Sequence, residues 1–431
     1  MRYRFDRTVE RHGAVVIGGS PLKLFRLTPG GVAVVDRVER GEAVERSVLV
    51  ERLLDAGAIH PVCFAEPTPR FTASDVTTVV PVHGALGHVP GGAIVVDDAS
   101  PSPVAGATIR LDTNVGPAGA RMAGLEHVAT PLVAFVDSDV VLPESWLDWL
   151  LPHFDDSRVG LVAPRIRSTP GAGVLARYEA RRSPLDLGPE PARIRASTRV
   201  SYVPAAVIVV RVDAIREVGG FDLDIRFGED VDLVWRLDEA GWSCRYEPAV
   251  EAHHRPRPTW WAWFRQRVDY GSSAAPLARR HPGRLAPAQM SGWSAGSWGL
   301  AAAGHPLAGV ALGVGSAAAL VPKLGDVPPL VSLRIAGLGN VHAGRLLADA
   351  VRRVWWPIVL IAAIRSRRAR LIALASLLPV RHPVHLADDM AYGVGVWKGV
   401  WRERTLAPLI PRFTSWPGRQ STAPPPAARA D

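Results

Sequence analysis

The chain has 431 residues, 48% hydrophobic and 21% charged, which is enough for two or three domains with sizeable cores. Its net charge is +9, and nearly all of the positive charge is arginine, which suits phosphates and carboxylates. No arginine-rich stretch is interleaved with aromatic residues, so nucleic acid is not an expected partner.

The two cysteines and the N-terminus bear on the cellular compartment. Cys63 and Cys244 stand far apart in unlike contexts, which argues against a disulfide scaffold and for a reducing compartment. The N-terminal stretch MRYRFDRTVERHG has no apolar h-region, so we expect no signal peptide. The sequence therefore predicts a cytoplasmic protein.

Residues 1–65 have the pattern of a small separate module. The stretch GAVVIGGSPLKLFRLTPGG alternates apolar and turn residues, as short strands in hairpins do. GGVAVVDRVERGE and SVLVERLLDAGAIHP then have apolar residues at helical spacing, and the second helix is expected to end at Gly57. This order predicts a winged-helix-like module, followed by a linker over residues 66–75.

A second domain is predicted over residues 76–276. Short runs rich in β-branched residues alternate with helical patterns, the clearest helix being 119–128, which indicates a mostly parallel sheet covered on both faces. In such sheets ligands bind beyond the carboxyl ends of the strands. The predicted strands are 76–84, 92–100, 107–112 and 131–139.

Several predicted strands end in carboxylates. Asp97 and Asp98 end one predicted strand, and Asp112 ends another. Asp137-Ser138-Asp139 follows the apolar run 132–136. Because residues i and i+2 of an extended chain point the same way, both carboxylates of this D-x-D are expected to face one spot. Carboxylates near a core need an opposite charge beside them. A hard divalent cation that takes oxygen ligands, Mg²⁺ or Mn²⁺, supplies that charge and can also hold a diphosphate.

Two further clusters carry chemistry. Glu229 and Asp230 open a predicted helix, with Asp232 inside it and Asp222 and Asp224 upstream, which is more acid than the helix dipole needs. A histidine pair, residues 253–254, ends another strand-like run beside two arginines, and we expect His253 to reach a metal or a diphosphate.

From about residue 277 the composition becomes more apolar. Residues 295–321 carry no formal charge and are long enough to cross a bilayer, but His305-Pro306 interrupts them. Residues 354–364 and 371–380 are too short to span and flank the basic cluster RSRRAR. The pattern predicts a helical region over 277–415 that lies on the inner face of the cell membrane, the alternative being an internal packing domain. Residues 416–431 are expected to be disordered.

Taken together, residues 76 to about 275 resemble the inverting, GT-A-type nucleotide-sugar glycosyltransferases of family 2. The resemblance is carried, in chain order, by VVPVHG, VVDDAS, NVGPAGARMAGL, VDSD and GGFDLDIRFGEDVDLVWRL. The first is similar to the first strand of that fold. Two segments depart from the family pattern: WFRQRVDYG replaces the Q-x-x-R-W of processive synthases, and Met122 stands where asparagine is common.

The resemblance also implies roles for individual residues. Asp97 or Asp98 would bind the uracil and ribose, and Arg121 would contact the nucleotide. Asp139, helped by Asp137, would bind the metal and the sugar diphosphate. Asp230 would be the general base, with Glu229 beside it as a second catalytic residue.

The N-terminal module resembles the small PqqD-like peptide-recognition modules of ribosomal-peptide maturation. Its joining to a family 2 domain is similar to the mycofactocin system glycosyltransferases, which attach glucose units to a redox cofactor made from a peptide. The resemblance implies transfer of a hexose, most simply glucose, from a UDP-sugar to mycofactocin or its precursor.

Three alternatives stay open at this point. A family 2 transferase for a lipid-linked cell-envelope glycan fits the apolar C-terminal region. A nucleotidyltransferase would want lysine or arginine after the first strand, and VHGALGHVPGG has neither. A catalytically silent module that recruits a peptide through residues 1–65 would not need Asp139 and Asp230.

Overall fold

The computed structural model of the chain describes residues 1–63, 70–87 and 89–414. It divides into two compact units, of which the first ends at Pro258 and the second begins at Thr259. The predicted tail 416–431 and residues 66–69 of the predicted linker lie outside the described residues. The second unit thus begins at 259 rather than at the predicted 277.

The first 63 residues form a small layered module with its own core. Two helices begin at side-chain caps, since Thr28 Oγ1 accepts a hydrogen bond from Gly31 N at 3.2 Å and Ser47 Oγ accepts one from Val50 N at 3.4 Å. The buried core includes Val16, Phe25 and Leu53. The elements are β1 (Tyr3–Phe5), β2 (Glu10–His12), β3 (Val15–Gly18), β4 (Lys23–Arg26), α1 (Pro29–Glu39), α2 (Val48–Asp55) and β5 (Ile59–Pro61), with β1 paired to β5 and β2, β3 and β4 in one sheet.

A nine-stranded mixed sheet is the centre of the rest of the first unit. Its order is β10-β14-β11-β13-β9-β6-β7-β8, with β12 also paired to β14. The strands are β6 (Val76–Val82), β7 (Ile94–Asp97), β8 (Ile109–Arg110), β9 (Leu132–Val136), β10 (Val140–Val141), β11 (Val159–Ser168), β12 (Ala192–Ile194), β13 (Val207–Arg211) and β14 (Ser243–His254). The helices of this part are α3 (Gly116–Leu125), α4 (Trp146–Leu150), α5 (Val174–Arg182), α6 (Val212–Glu217) and α7 (Glu229–Glu239).

The strand directions determine where the acids at the strand ends lie. β9, β6, β7 and β8 run parallel to one another, while β13 runs antiparallel to β9 and β11. All five residues of β9 are buried, and the strand lies inside the sheet between β6 and β13. The predicted strands and α/β class are confirmed, and the acids that follow β7 and β9 leave the same edge of the sheet.

The second unit is largely helical. Its helices are α8 (Trp260–Ser272), α9 (Ala274–Arg280), α10 (Gly292–Ala302), α11 (Pro306–Leu320), α12 (Pro329–Ala350), α13 (Trp356–Arg365), α14 (Arg367–Leu377) and α15 (Pro383–Glu403). Two short strands, β15 (Gln289–Met290) and β16 (Arg412–Phe413), pair in parallel, and a π-helical turn (Val351–Trp355) joins α12 to α13. Among the described residues, one helix, Pro306–Leu324, is long and apolar enough to cross a membrane by length and composition.

The described part of the predicted linker is ordered by packing. Phe71 is buried in the core of the first unit, and the guanidiniums of Arg70 and Arg211 each lie 5.5 Å from the centre of its ring. A short 3₁₀ turn (Ala73–Asp75) then leads into β6. A composition rich in proline and polar residues concealed this buried aromatic anchor.

Candidate active site

The D-x-D acids lie in a turn, not in an extended chain. Val140 N donates a hydrogen bond to Asp137 O at 3.1 Å, so residues 137–140 reverse direction directly after β9. A Cβ on Gly87 would lie 2.2 Å from Ser138 O, so glycine is required where the loop after β6 crosses this turn. The expectation that both carboxylates face one spot was wrong for this reason. Asp137 and Asp139 have different partners.

Asp139 is paired with a histidine from β14. His254 Nε2 lies 3.2 Å from Asp139 Oδ2, and the Asp139 side chain is 40% exposed. Burial alone would raise the pKa of Asp139. The hydrogen bond with His254 and the charge of Arg257 outweigh burial, so the pKa lies below its ordinary value. Asp139 is therefore an ionised carboxylate accessible to a ligand.

The structure favours His254 over His253 at this place. His254 is opposite Val140 in the β10–β14 ladder and His253 is opposite Val141. Because successive side chains of a strand point to opposite faces, only one of the two histidines reaches Asp139. The contact to Asp139 is made by His254, and the metal role of His253 stays a prediction.

Arg121 links the two acidic clusters. Its Nη2 donates to Asp137 Oδ1 at 2.7 Å and its Nη1 donates to Glu229 Oε1 at 3.0 Å, and only 3% of the residue is exposed. The guanidinium lies 5.3 Å from the centre of the Phe221 ring. The nucleotide contact predicted for Arg121 stays a prediction, and in the structure its guanidinium is the counter-ion of Asp137 and Glu229.

Glu229 and Asp230 are carboxyls with a raised affinity for protons. Burial and the neighbouring charge of Asp230 raise the pKa of Glu229 to about 7, although Arg121 acts in the opposite direction. Burial also raises the pKa of Asp230, against hydrogen bonds from Val231 N and Ala205 N. Asp230 is partly exposed whereas Glu229 is buried on Arg121. Of the two, Asp230 is the one that a substrate can reach.

The acids after β7 have mainly structural partners. Asp97 is fully buried, accepts from Ser100 N at 2.9 Å and Val104 N at 3.1 Å, and pairs with Arg110. Burial raises the pKa of Asp97, but these hydrogen bonds bring it below its ordinary value. Asp97 therefore shapes the loop after β7, and the nucleotide contact expected of Asp97 or Asp98 stays a prediction.

Asp98, next to Asp97, is also buried, with 4% of its surface exposed. Its carboxylate accepts from Val115 N at 2.7 Å and Gly116 N at 2.9 Å, where α3 begins. Two exposed residues that the sequence analysis did not single out surround it. Asp98 O accepts from Asn114 Nδ2 at 3.2 Å and lies 2.8 Å from His83 Nδ1. The signal for both was position, since His83 directly follows β6 and Asn114 opens the NVGPAGAR segment.

The G-G-F-D segment is fastened to α3 and α7. Gly220 has φ +74°, and a Cβ there would lie 2.3 Å from Met122 Sδ, so Met122 packs against the glycine. Phe221 N in turn donates to Met122 Sδ at 3.3 Å. Arg236 Nη2 donates to Gly220 O at 2.7 Å, and its Nε bonds Asp232, which is fully buried. Met122 therefore packs against the G-G-F-D segment, and Asp232 holds Arg236 in position.

The described residues fit a cation that substrate helps to hold. No group of three or more histidine, cysteine or acidic side chains that could bind a metal is formed within the described ranges. Asp139 supplies the carboxylate oxygens that Mg²⁺ and Mn²⁺ prefer, and Mg²⁺ commonly takes one or two protein carboxylates together with substrate phosphates. Asp139 is therefore a candidate ligand for a divalent cation.

Comparison with known proteins gives the family. A family model described as "Glycosyltransferase like family 2" matches residues 93–268. The chain is 38% identical over 450 residues to the pre-mycofactocin glycosyltransferase of Mycobacterium tuberculosis, in strains CDC 1551 / Oshkosh and ATCC 25618 / H37Rv, and the match covers 93% of this chain and 95% of that protein. Glycosyltransferase AglE of Haloferax volcanii is 27% identical over 150 residues, which cover 34% of this chain and 47% of AglE.

A solved mannosyltransferase from Pyrobaculum calidifontis, in complex with GDP-Man and Mn²⁺, is 15% identical, with a TM-score of 0.44 over 79% of this chain and 92% of that one. The family model begins at residue 93, so the PqqD-like character of the N-terminal module stays a prediction. The chain is a glycosyltransferase and belongs to family 2, within the family of the pre-mycofactocin glycosyltransferase.

Proposed function

We propose that this chain transfers a hexose, most simply glucose, from a UDP-sugar to mycofactocin or its peptide-derived precursor, with inversion at the anomeric carbon. The observation that carries the proposal is the pairing of Arg121 with Asp137, in the turn that also carries Asp139, and with Glu229, the neighbour of Asp230. The acceptor is taken from the relative that shares 38% of its residues, whose name states pre-mycofactocin.

In the proposed reaction the donor lies along the edge formed by the ends of β6, β7 and β9. Asp98, with His83 and Asn114 beside it, binds the uracil and ribose, while Asp139 and His254 hold a Mg²⁺ or Mn²⁺ together with the diphosphate. When bound, such a cation offsets the charge of the departing UDP. Arg121 keeps Asp137 and Glu229 in place beneath the donor.

Asp230 acts on the acceptor. As the acceptor oxygen attacks the anomeric carbon, its proton passes to the Asp230 carboxylate, and the bond to the diphosphate oxygen breaks with its electron pair leaving on UDP. One displacement inverts configuration, so an α-linked donor gives a β-linked product. The raised pKa supports this role, because a base with a pKa closer to neutrality accepts a proton more readily.

The deciding experiment measures UDP release and product mass together. Purified protein is given UDP-glucose and Mn²⁺ or Mg²⁺, with and without the matured peptide precursor. We expect the precursor to gain one or more hexoses. Release of UDP with no change in the precursor would overturn the proposed acceptor and favour the lipid-linked envelope glycan, the second candidate, which the exposed apolar surface of the second unit supports.

Substitution of Asp139 by asparagine tests the donor site. A bound cation contributes several kcal/mol of charge stabilisation, so we expect turnover to fall by about two or more powers of ten. Binding of UDP, followed by calorimetry, should lose its dependence on Mn²⁺. Asp148→Asn, an equivalent change at an exposed position of α4, is the control and should leave both unchanged. Metal-dependent UDP binding of normal affinity in Asp139→Asn would remove this residue from the site.

We also propose that α13 and α14 lie on an anionic membrane surface at the cytoplasmic side. Ile361, Ile364 and Leu374 are 67%, 74% and 63% exposed. The arginines 365, 367, 368 and 370 are exposed around the junction of the two helices, and no acid occurs between Asp349 and Asp388. Exposed apolar side chains beside arginines are the pattern of a helix pair that lies in the interface of a bilayer.

Flotation with vesicles tests this association. We expect the protein to float with vesicles that contain phosphatidylglycerol and to stay behind with pure phosphatidylcholine. Each arginine near an anionic surface contributes about 1 kcal/mol, so Arg367→Glu/Arg368→Glu should weaken binding by about tenfold or more. The control, Arg37→Glu/Arg40→Glu, changes two exposed arginines of the N-terminal module. Equal flotation with both kinds of vesicle would contradict the proposal.

A further inference from the structure

The segment of residues 195–206, between β12 and β13, reaches the proposed base. Ala205 N donates a hydrogen bond to Asp230 Oδ2 at 3.3 Å. Ala205 O accepts one from Arg121 Nη2 at 3.4 Å. One peptide residue therefore touches both the carboxylate that receives the proton and the arginine that links the acidic clusters.

The other part of this segment is bound to the N-terminal module. Arg199 N donates to Ser20 Oγ at 2.6 Å, and Arg199 Nη2 donates to Asp6 Oδ2 at 3.0 Å. The same Nη2 donates to Pro191 O at 2.6 Å, which fixes the direction of the side chain. Residues 1–63 are thus attached to the segment at Arg199. Six residues further along the chain, Ala205 contacts Asp230.

Asp6 is itself held rigidly within the module. Its carboxylate accepts from Thr8 N at 2.9 Å and from Thr8 Oγ1 at 2.6 Å, and His60 Nε2 lies 2.9 Å from Oδ2. The residue is 5% exposed, and these hydrogen bonds bring the pKa of its carboxyl below the ordinary value although burial acts in the opposite direction. Asp6 is therefore a fixed, ionised anchor for Arg199.

The chain between the two ends has little freedom to absorb a displacement. Thr198 Oγ1 lies 2.7 Å from Arg195 O and 2.8 Å from Val200 O, which closes a tight turn. Val200 and Val203 are buried. Ser201 O accepts from Trp235 Nε1 at 2.7 Å, and Trp235 lies on α7, the helix that Asp230 opens. A movement of Arg199 would accordingly be passed on to Ala205.

We infer that the N-terminal module positions the catalytic base, with Asp6 and Arg199 as positioning residues that hold the Ala205 N–H on Asp230. The inference rests on the proposed function, because it takes Asp230 as the base. It gives the module a task in the transfer step that is separate from recognition of a peptide. A carboxylate aimed by a backbone donor is favoured for catalysis, since small misplacements of a reacting group cost large factors in rate.

The experiment compares single-turnover transfer rates of the full chain at saturating UDP-glucose and acceptor. The variants are Asp6→Asn, Arg199→Met and Arg199→Lys. We expect Arg199→Met to lower the rate by about ten- to a hundredfold with unchanged UDP affinity, and Arg199→Lys to recover part of the loss. Arg7→Met is the matched control, because Arg7 also joins the module to the catalytic part, through Glu190, but is 63% exposed and has no hydrogen bond to residues 195–206 in that pair.

The pH dependence separates positioning from simple destabilisation. The charged groups that face Asp230 are Glu229 on its own helix and Arg121 from α3. Because the Ala205 N–H favours the ionised form, its loss raises the pKa of Asp230 further and moves the acid limb of the rate profile to higher pH. A lower fraction of folded protein would reduce the amplitude without moving this limb.

Each result decides the inference. Rates within about twofold of the native protein in all three variants, or a loss that matches a loss of UDP-binding sites with an unmoved limb, would overturn it while leaving the base assignment intact. Normal transfer by Asp230→Asn would instead overturn the base assignment and this inference with it. A lower rate, an unchanged UDP affinity and a shifted limb together would establish it.

Discussion

Replacement of Asp230 by asparagine will lower the transfer rate by about two or more powers of ten. Asparagine has nearly the same shape and still accepts a hydrogen bond from Ala205 N, so the fold and the donor site stay intact. What it loses is the capacity to take the acceptor proton. UDP affinity should therefore change little, and the deficit should appear in the rate of the bound complex.

The measurement is single-turnover transfer from UDP-glucose, followed from pH 5 to pH 9. Since burial raises the pKa of Asp230, the native rate should fall as pH drops through a value above the ordinary carboxylate range. This acid limb should disappear in Asp230→Asn. Glu239→Gln, at the exposed far end of the same helix, is the control and should keep the native profile. A native rate in Asp230→Asn would transfer the role of base to another group.

The strand ends were predictable because they depend on local patterns. A run of apolar β-branched residues that stops at an acid can be recognised without knowledge of the fold, as at Val136-Asp137. Parallel strands bring such ends to one edge, so the sequence also predicted that the acids after β7 and β9 would leave the same edge of the sheet. The first residues of α7 were recognisable in the same way, from Gly228 followed by two acids.

The choice between His253 and His254 was not predictable, because the two-residue period of β14 is interrupted. Pro164 of β11 pairs with Glu247, but the next residue, Arg165, pairs with Glu251. An irregularity of this kind shifts every later side chain to a different face. Alternation along the sequence therefore does not by itself show which face each of the two histidines takes.

The role of Arg121 was hidden for a different reason. Its partners Asp137, Ala205 and Glu229 lie 16, 84 and 108 residues further along the chain. A motif on one helix shows which residue type is present but not which side chains the fold places around it. Burial of this arginine is a consequence of three elements meeting, which no local pattern records.

Replacement of Arg121 by methionine will have the largest effect on stability. The change keeps much of the side-chain length but leaves the Glu229 and Asp137 carboxylates without their cation, and removal of one partner from a buried ion pair costs about 3–5 kcal/mol. Activity should be lost together with stability, since the arginine fixes both acidic clusters. Urea unfolding of the full chain, followed by tryptophan fluorescence, measures the effect.

The destabilisation by Arg121→Met should grow as pH rises above about 7. Glu229 has a pKa of about 7 in the native fold, above its unfolded value, so its contribution to stability is complete below the unfolded pKa and is lost as pH rises through the folded one. Without Arg121 the folded pKa of Glu229 rises further, and the loss of stability extends over a wider range of pH.

Adding Glu229→Gln to Arg121→Met should cost less than Glu229→Gln alone, because the buried charge is already uncompensated. Arg7→Met, which removes an exposed arginine, should change little at any pH. A destabilisation by Arg121→Met that is independent of pH would show that Glu229 does not depend on this arginine for its charge.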